Sequence, residues 1–271
     1  MTQGMAAQRP GAEMDPDAMW SPALARGLIR DDVMRVMRCC DGYTDLLGPS
    51  APPRYNIAQR VMRGLHGMSI PVERNRAATA LRLVGEQRVL DVACGPGDFT
   101  GLFADGLKGD GFVIGLDHSV AMMERAVHDN SRARAVYMRA DTLRLPFSDG
   151  VFDAVCCFAA LHLMPEPFAV LHEMVRVLSP GGMIAVTTSY GRESVLVRKA
   201  IEIGATICGV RVFDRTTIPA FLAAAGLIDI DQQLRGISQL VIARRPDRVT
   251  DIQPWHTPSA AGIGRRSLGT R

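Results

Sequence analysis

The sequence predicts an α/β fold: a seven-stranded, mostly parallel sheet with a reversed final strand, helices on both faces, and extra helices at the amino terminus. Three observations predict it. The run Val89-Leu90-Asp91-Val92 is apolar and β-branched, and it turns through Gly95-Pro96-Gly97 into a helix start. Strand and helix patterns then alternate from about 88 to 188, which implies a parallel sheet covered on both faces. Finally, two strands expected at about 227–233 and 237–243 are separated by little more than Arg235-Gly236. A link that short cannot make a parallel crossover, so these two strands are expected to pair antiparallel.

The elements follow in order. Residues 1–20, rich in Gly, Pro, Gln and small side chains, read as a flexible leader. From Pro22 to Cys40, Leu24, Leu28, Ile29, Val33, Val36 and Met37 recur at helical spacing and predict an amphipathic helix. The run Gly48-Pro49-Ser50-Ala51-Pro52-Pro53 breaks it. Further helical patterns pass through Ile57, Val61, Met62 and Leu65 and through about 72–83, so residues 21–84 are expected to form a helical lid. Residues 85–245 are expected to form the main domain. Its strands are expected at about 88–92, 112–116, 135–139, 152–158 and 183–188, with helices between them. One helix, at about 166–178, stops at Ser179-Pro180-Gly181-Gly182. Helices are also expected from Arg192 to about Ile207 and from about Thr217 to Ala225, and residues 246–271 read as a disordered basic tail.

Composition narrows the class. The chain has 271 residues, 47% of them hydrophobic, which suits one generous domain, and its net charge is only +3. So small a charge argues against a nucleic-acid partner. None of the six cysteines forms a C-x-x-C pair, so no metal site is expected. Cys156 and Cys157 sit in an apolar run and read as buried thiols of a reducing compartment. No secretory signal is evident, nor any window near the ~20 apolar residues of a membrane helix. The expected protein is cytoplasmic, without membrane insertion, and a monomer or homodimer.

The chemistry concentrates at the carboxyl ends of the first strands. Gly95 and Gly97 allow close approach of a ligand to the backbone. The turn's N–H groups and the following helix start suit a carboxylate. Asp91 would orient the turn or hold an ammonium, and Asp117, ending the second strand, would accept from both hydroxyls of a ribose while competing with Ser119 as a helix cap. Asp141 follows the third strand and would accept from an adenine amino group, or serve as an ordinary loop aspartate. These groups favour S-adenosylmethionine, which carries a carboxylate, an ammonium and an adenosine, over a dinucleotide. A dinucleotide fingerprint, G-x-G-x-x-G, would place glycine where Thr100 stands.

These residues together resemble the class I S-adenosylmethionine-dependent methyltransferases, and among them the small-molecule branch that includes the quinone-ring C-methyltransferases. The resemblance covers about 89–188. It rests on the run from Val89 to Gly97, on Gly115-Leu116-Asp117-His118-Ser119 with Met122, on Ala140-Asp141 followed by Leu145-Pro146-Phe147 and Phe152-Asp153, and on Arg176-Val177-Leu178-Ser179-Pro180-Gly181-Gly182. The resemblance implies a Rossmann-like sheet with the last pair reversed. It implies that Asp91, Ala93, Gly95 and Gly97 line the methionine part, Asp117 the ribose, and Met122 and Asp141 the adenine, with Phe158 and Ala159 bordering the cofactor; Cys94, His118 and Thr142 complete the expected cofactor-binding set. One departure stands out: Ala93 replaces the family's first motif glycine.

Transfer of a methyl group to oxygen or carbon calls for loss of a proton, and His162, leaving the fourth strand, is the candidate general base. It competes with a packing role, and Tyr43, Tyr55 and Tyr190 are weaker candidates. The apolar helices at 22–70 and 192–207 would suit a small hydrophobic or aromatic acceptor. Two other functions remain open at this point: an S-adenosylmethionine-binding regulatory or partner protein without catalysis, and a nicotinamide-dependent oxidoreductase.

Overall fold

The computed structural model describes residues 27–34, 37–48, 76, 79–190, 211–236 and 238–247. Its centre is one nine-stranded sheet of β1 (Arg38–Cys40), β2 (Tyr43–Asp45), β3 (Arg88–Val92), β4 (Phe112–Asp117), β5 (Ala135–Arg139), β6 (Phe152–Phe158), β7 (Leu178–Ser189), β8 (Ile228–Arg235) and β9 (Ser238–Arg244), in the order β1-β2-β5-β4-β3-β6-β7-β9-β8. The five strands β5, β4, β3, β6 and β7 run parallel, and β9 lies antiparallel to both β7 and β8. Seven of these strands are the ones the sequence predicts.

The described helices are α1 (Asp31–Met34), α2 (Asp98–Gly106), α3 (Val120–Asn130), α4 (Pro167–Val177) and α5 (Thr217–Ala224). They divide between the two faces because alternate strand residues do. Leu90, Val92, Ile114, Leu116, Val155 and Ile184 pack with Val170, Leu171 and Met174 of α4 and Ile218 and Leu222 of α5. Val89, Val113, Ala154 and Cys156 pack on the opposite face with Phe103, Ala104 and Leu107 of α2 and its carboxyl-terminal flank. Tyr43, Cys94 and Tyr137 pack with Met123 and Ala126 of α3. Burying each large apolar side chain contributes roughly 1.5–3 kcal/mol, so these two layers hold the sheet.

Two expectations change. The helix predicted from Pro22 to Cys40 is broken: α1 lasts four residues, and Arg38–Cys40 pairs with Tyr43–Asp45 as a hairpin that extends the sheet beside β5. The sheet therefore has nine strands rather than seven, and the part of residues 21–84 described here is not a purely helical lid. Instead Ile29 bridges Phe147, and Arg30 N–H donates to the Pro146 carbonyl at 3.0 Å, so this segment is fastened to the loop before β6. The second change is the start of β7: α4 stops at Val177 as expected, but Ser179-Pro180-Gly181-Gly182 lies inside the strand as an irregularity, where Leu178 pairs Phe152 and pairing resumes only at Met183 with Ala154. The expected helices around 57–65 and 192–207, Tyr55, the leader, and the tail beyond 247 lie outside the described residues. Among the described residues no helix is long and apolar enough to cross a membrane.

Candidate active site

The chain runs from β3 outward to β4 and β5, then crosses to β6 and β7 on the other side of β3. Adjacent β3 and β6 thus mark a topological switch, where open α/β sheets bind ligands beyond the carboxyl ends of their strands. The turn after β3 lies there. Ala93 has φ 58°, Gly95 φ 58° and Gly97 φ 80°, so three of five consecutive residues are left-handed. Gly97 N–H donates to the Cys94 carbonyl at 3.1 Å, and Gly97 precedes α2. The first-turn amides of α2 lack intrahelical partners, as at any helix start.

Gly97 is glycine for two reasons, and ligand approach is not the one visible here. Its φ is left-handed, and a Cβ there would stand 2.6 Å from the Tyr137 hydroxyl. The Tyr137 O–H donates to the Asn130 carbonyl at 2.8 Å, and Asn130 Nδ2–H donates to the Pro96 carbonyl at 2.8 Å. The end of α3 and the middle of β5 thereby hold the glycine turn from outside.

Asp117 ends β4 and is buried. Its Oδ2 accepts the Gly95 N–H and its Oδ1 the Ser119 N–H, each at 2.9 Å. One carboxylate therefore ties the β3–α2 turn to the β4–α3 turn. Each oxygen still has a second acceptor position, so two vicinal hydroxyls remain compatible with it. Ser119 precedes α3 with no side-chain cap bond.

Asp91 lies on the α2 side of β3, 1% exposed. Thr100 Oγ1–H donates to its Oδ2 at 2.6 Å, and the Cys156 thiol contacts its Oδ1 at 3.7 Å. Burial pushes its pKa from 3.8 up to about 7, against the lowering effect of Thr100 and Cys156, and nearby Asp117 adds to the rise. These contacts hold Asp91 against α2 and β6. Gly115 makes this possible, because a Cβ on it would come within 2.8 Å of Thr100 Oγ1. Thr100 thus holds the place where a dinucleotide fingerprint has its third glycine, with its side chain engaged.

The remaining expected residues spread around these turns. His118 is exposed and follows Asp117, and Met122 is half-buried in the first turn of α3. Asp141 and Thr142 are half-buried just beyond β5, where Asp141 Oδ1 accepts the Leu143 N–H at 2.9 Å. Phe158 ends β6 and stacks on Phe99 of α2 with ring centroids 4.8 Å apart. Ala159 follows with φ 53°, and its N–H bonds the Thr187 carbonyl at 3.1 Å. His162 sits in a 3₁₀ turn, Leu161–Leu163, and is 2% exposed; its carbonyl receives Arg211 N–H at 2.7 Å. Tyr43 is buried on β2, and burial pushes its phenol up to about 12, so it is held protonated. Tyr190 bridges Phe213 beyond β7. The structure brings Asp91, Ala93, Cys94, Gly95, Gly97 and Asp117 into one knot of turns. His118, Met122, Asp141 and Thr142 flank it on the β5 side, and Phe158, Ala159 and His162 on the β6 side.

Sequence reasoning missed the supports. Arg139 is a wholly buried cation at the end of β5, and a charge inside a strand was the signal that it needs a partner. Glu173 and Arg176 of α4 clasp the loop between β5 and β6: Glu173 Oε2 accepts the Leu145 N–H at 2.7 Å, and Arg176 donates to the carbonyls of Leu145 and Phe147. Burial would raise the Glu173 carboxyl, but the Arg176 and Leu145 hydrogen bonds hold it below its usual range. Asp153 is lowered in the same way by Arg88, whose side chain bonds it in two places at 3.1 Å. The Leu145-Pro146-Phe147 and Phe152-Asp153 pairs are thus seated by structural bonds.

Residues 89–182 match the family described as a methyltransferase domain. A 2-phytyl-1,4-naphtoquinone methyltransferase of Synechococcus elongatus is 31% identical over 209 residues, 73% of this chain and 83% of that protein. A 27-O-demethylrifamycin SV methyltransferase of Amycolatopsis mediterranei is 36% identical over 210 residues, 73% of this chain and 68% of its own length. Among solved structures, a Haemonchus contortus phosphoethanolamine N-methyltransferase in complex with phosphomonomethylethanolamine and S-adenosylhomocysteine superposes with a TM-score of 0.55 at 18% identity, covering 64% of this chain and 52% of that one. That likeness bears on the fold.

Proposed function

The chain belongs to the S-adenosylmethionine-dependent methyltransferases, and from that premise we propose that its acceptor is a small hydrophobic or aromatic molecule of the quinone kind. The observation that supports the cofactor half of this reading is the Asp117 carboxylate bonded to Gly95 N–H, which sets an acid for a ribose beside a glycine turn for an amino-acid end. The relatives support the acceptor class, since one is named for a phytyl naphthoquinone and another for a demethylrifamycin.

When bound, S-adenosylmethionine supplies a methyl group already activated by positive sulfur. The chain's own residues bind, orient and exclude water. Ala93, Cys94, Gly95, Gly97 and the α2 amides hold the carboxylate end. Asp117 accepts from the ribose hydroxyls, and His118, Met122, Asp141 and Thr142 border the adenine. Phe158 and Ala159 wall the cofactor on the β6 side, and Asp91 acts as the support beneath. His162 takes the acceptor's proton. The protein works in the cytoplasm as a monomer or homodimer without nucleic acid, and its buried thiols Cys156 and Cys157 suit that reducing compartment.

Incubation with methyl-labelled S-adenosylmethionine and a panel of naphthoquinols, hydrophobic phenols and polar amines tests this. Label is expected on the quinols or phenols, with His162→Gln lowering kcat by about 10²-fold or more and leaving cofactor affinity unchanged. Label only on the amines would overturn the acceptor class, and an undiminished kcat in His162→Gln would remove the base.

A further inference from the structure

Arg139 makes an unusual set of contacts for a side chain that is 1% exposed. Nε–H donates to the His118 carbonyl at 2.9 Å. Nη1–H bonds both oxygens of Asp45 at 3.0 Å and the Gly48 carbonyl at 2.7 Å. Asp45 in turn accepts the Leu47 and Gly48 amides at 2.8 and 3.1 Å. The main chain adds a second connection: Asp45 and Arg139 are register partners across β2 and β5, and Leu46 N–H donates to the Arg139 carbonyl at 3.0 Å.

The two ends of this guanidinium serve different structures. One holds the carbonyl of the residue after Asp117, in the turn from β4 into α3. The other holds the turn where the amino-terminal strand pair hands the chain on to residue 49 and beyond. A buried arginine is costly unless its donors are met, and losing one partner leaves an uncompensated charge. The guanidinium is therefore stable in this position only while both turns are in place. We propose that Arg139 is a positioning residue for S-adenosylmethionine: it joins the Asp45–Gly48 turn to the ribose-binding turn, so that docking of the amino-terminal strand pair and binding of the cofactor strengthen each other. This rests on the reading of Asp117 as the ribose acceptor. Coupling of this kind is reciprocal, so it reads out at either end.

The test uses the full chain and its Asp45→Asn variant. Asp45 is separated from β4 by β5, so the substitution leaves the cofactor's own contacts untouched. S-adenosylmethionine affinity is measured by titration calorimetry well below each melting temperature, and hydrogen exchange of residues 43–48 with and without cofactor. Saturating cofactor is expected to slow that exchange at least about fivefold in the unaltered chain. Asp45→Asn is expected to bind about tenfold more weakly and to lose the slowing. A pair that only stabilises the fold would lower the melting temperature and leave the folded protein's affinity unchanged, which overturns the proposal. Exchange in 43–48 indifferent to cofactor in the unaltered chain overturns it too, even if Asp45→Asn fails to fold. If the unaltered chain binds no S-adenosylmethionine, the reading of Asp117 falls and this coupling with it.

Discussion

Ala93 carries a methyl group at φ 58° directly after β3, where the family's motif has glycine. An L-residue in the left-handed region costs roughly 1–2 kcal/mol, so Ala93→Gly is expected to stabilise the protein by about 1 kcal/mol, less the extra entropy glycine gives the unfolded chain. Urea unfolding checks this, and an unchanged or lower midpoint would place the strain elsewhere. Asp91 stores a different cost. Its carboxyl titrates near 7 in the fold and at the ordinary 3.8 in the unfolded chain. Below about pH 4 both states hold the proton. Between about 4 and 7 only the folded state does, so this group's contribution falls as pH rises through that window and is constant above it, a loss of roughly 4 kcal/mol at most. Asp153 and Glu173, both lowered, act with the opposite sign at more acid pH. The comparison with Asp91→Asn isolates the first effect, because asparagine keeps an acceptor for Thr100. The variant is expected to gain on the unaltered protein as pH goes from 4.5 to 7.5, and parallel stability curves would refute the raised carboxyl. At this scale the acids and glycines of the site were legible because they stand at or just beyond the ends of apolar runs. Their supports, Thr100, Tyr137 and Arg139, were not, since nothing local in sequence says which side chain crosses to which turn.

The β1–β2 hairpin is the element the periodicity concealed. Apolar residues up to Met37 repeat at helical spacing, and strands of three residues are too short to show an alternation of their own. The readable sign was Asp41-Gly42, a pair that favours tight hairpin turns, and Cys40 does pair with Tyr43 across it. Gly42 sits at φ 80°, and a Cβ there would stand 2.4 Å from Val127 Cγ1 on α3. Both the backbone and the neighbouring helix therefore resist any larger residue. Gly42→Ala is expected to cost about 1–3 kcal/mol, measured as a lowered denaturant midpoint. A variant as stable as the parent would mean that the hairpin does not pack on α3 as described. The longer elements were legible for the converse reason. The strands β3 to β7 and the helices α2 to α4 each carry a full period of their own pattern, and the short link through Gly236 settled the direction of β9 against β8.

At the scale of the whole molecule, the parallel strands converge on one place. The carboxyl ends of β3, β4, β5 and β6 supply the turn residues, Asp117 and Arg139 tie turns across strands, and Asp91 fastens β3 to α2. A ligand bound at that point meets several elements at once, and binding to the folded state alone raises the stability of everything that unfolds with it. At a cofactor concentration about a hundredfold above Kd the gain is roughly 2.7 kcal/mol, or a rise of about 5–10 °C in melting temperature for a domain of this size. Asp117→Ala removes charged hydrogen bonds worth about 1.5–3 kcal/mol, so at the same concentration its gain should fall to about 1.4 kcal/mol or less. NADH, whose fingerprint glycine is occupied here by an engaged Thr100, should give no shift in either protein. Melting curves with S-adenosylmethionine, with NADH and with neither decide the matter. An equal shift in Asp117→Ala would detach that carboxylate from the ligand, and a shift with NADH alone would transfer the crevice to a different nucleotide. The expected pattern, a large rise in the parent that shrinks in the variant, follows only if the acid at the end of β4 is shared between the glycine turn and a bound ribose.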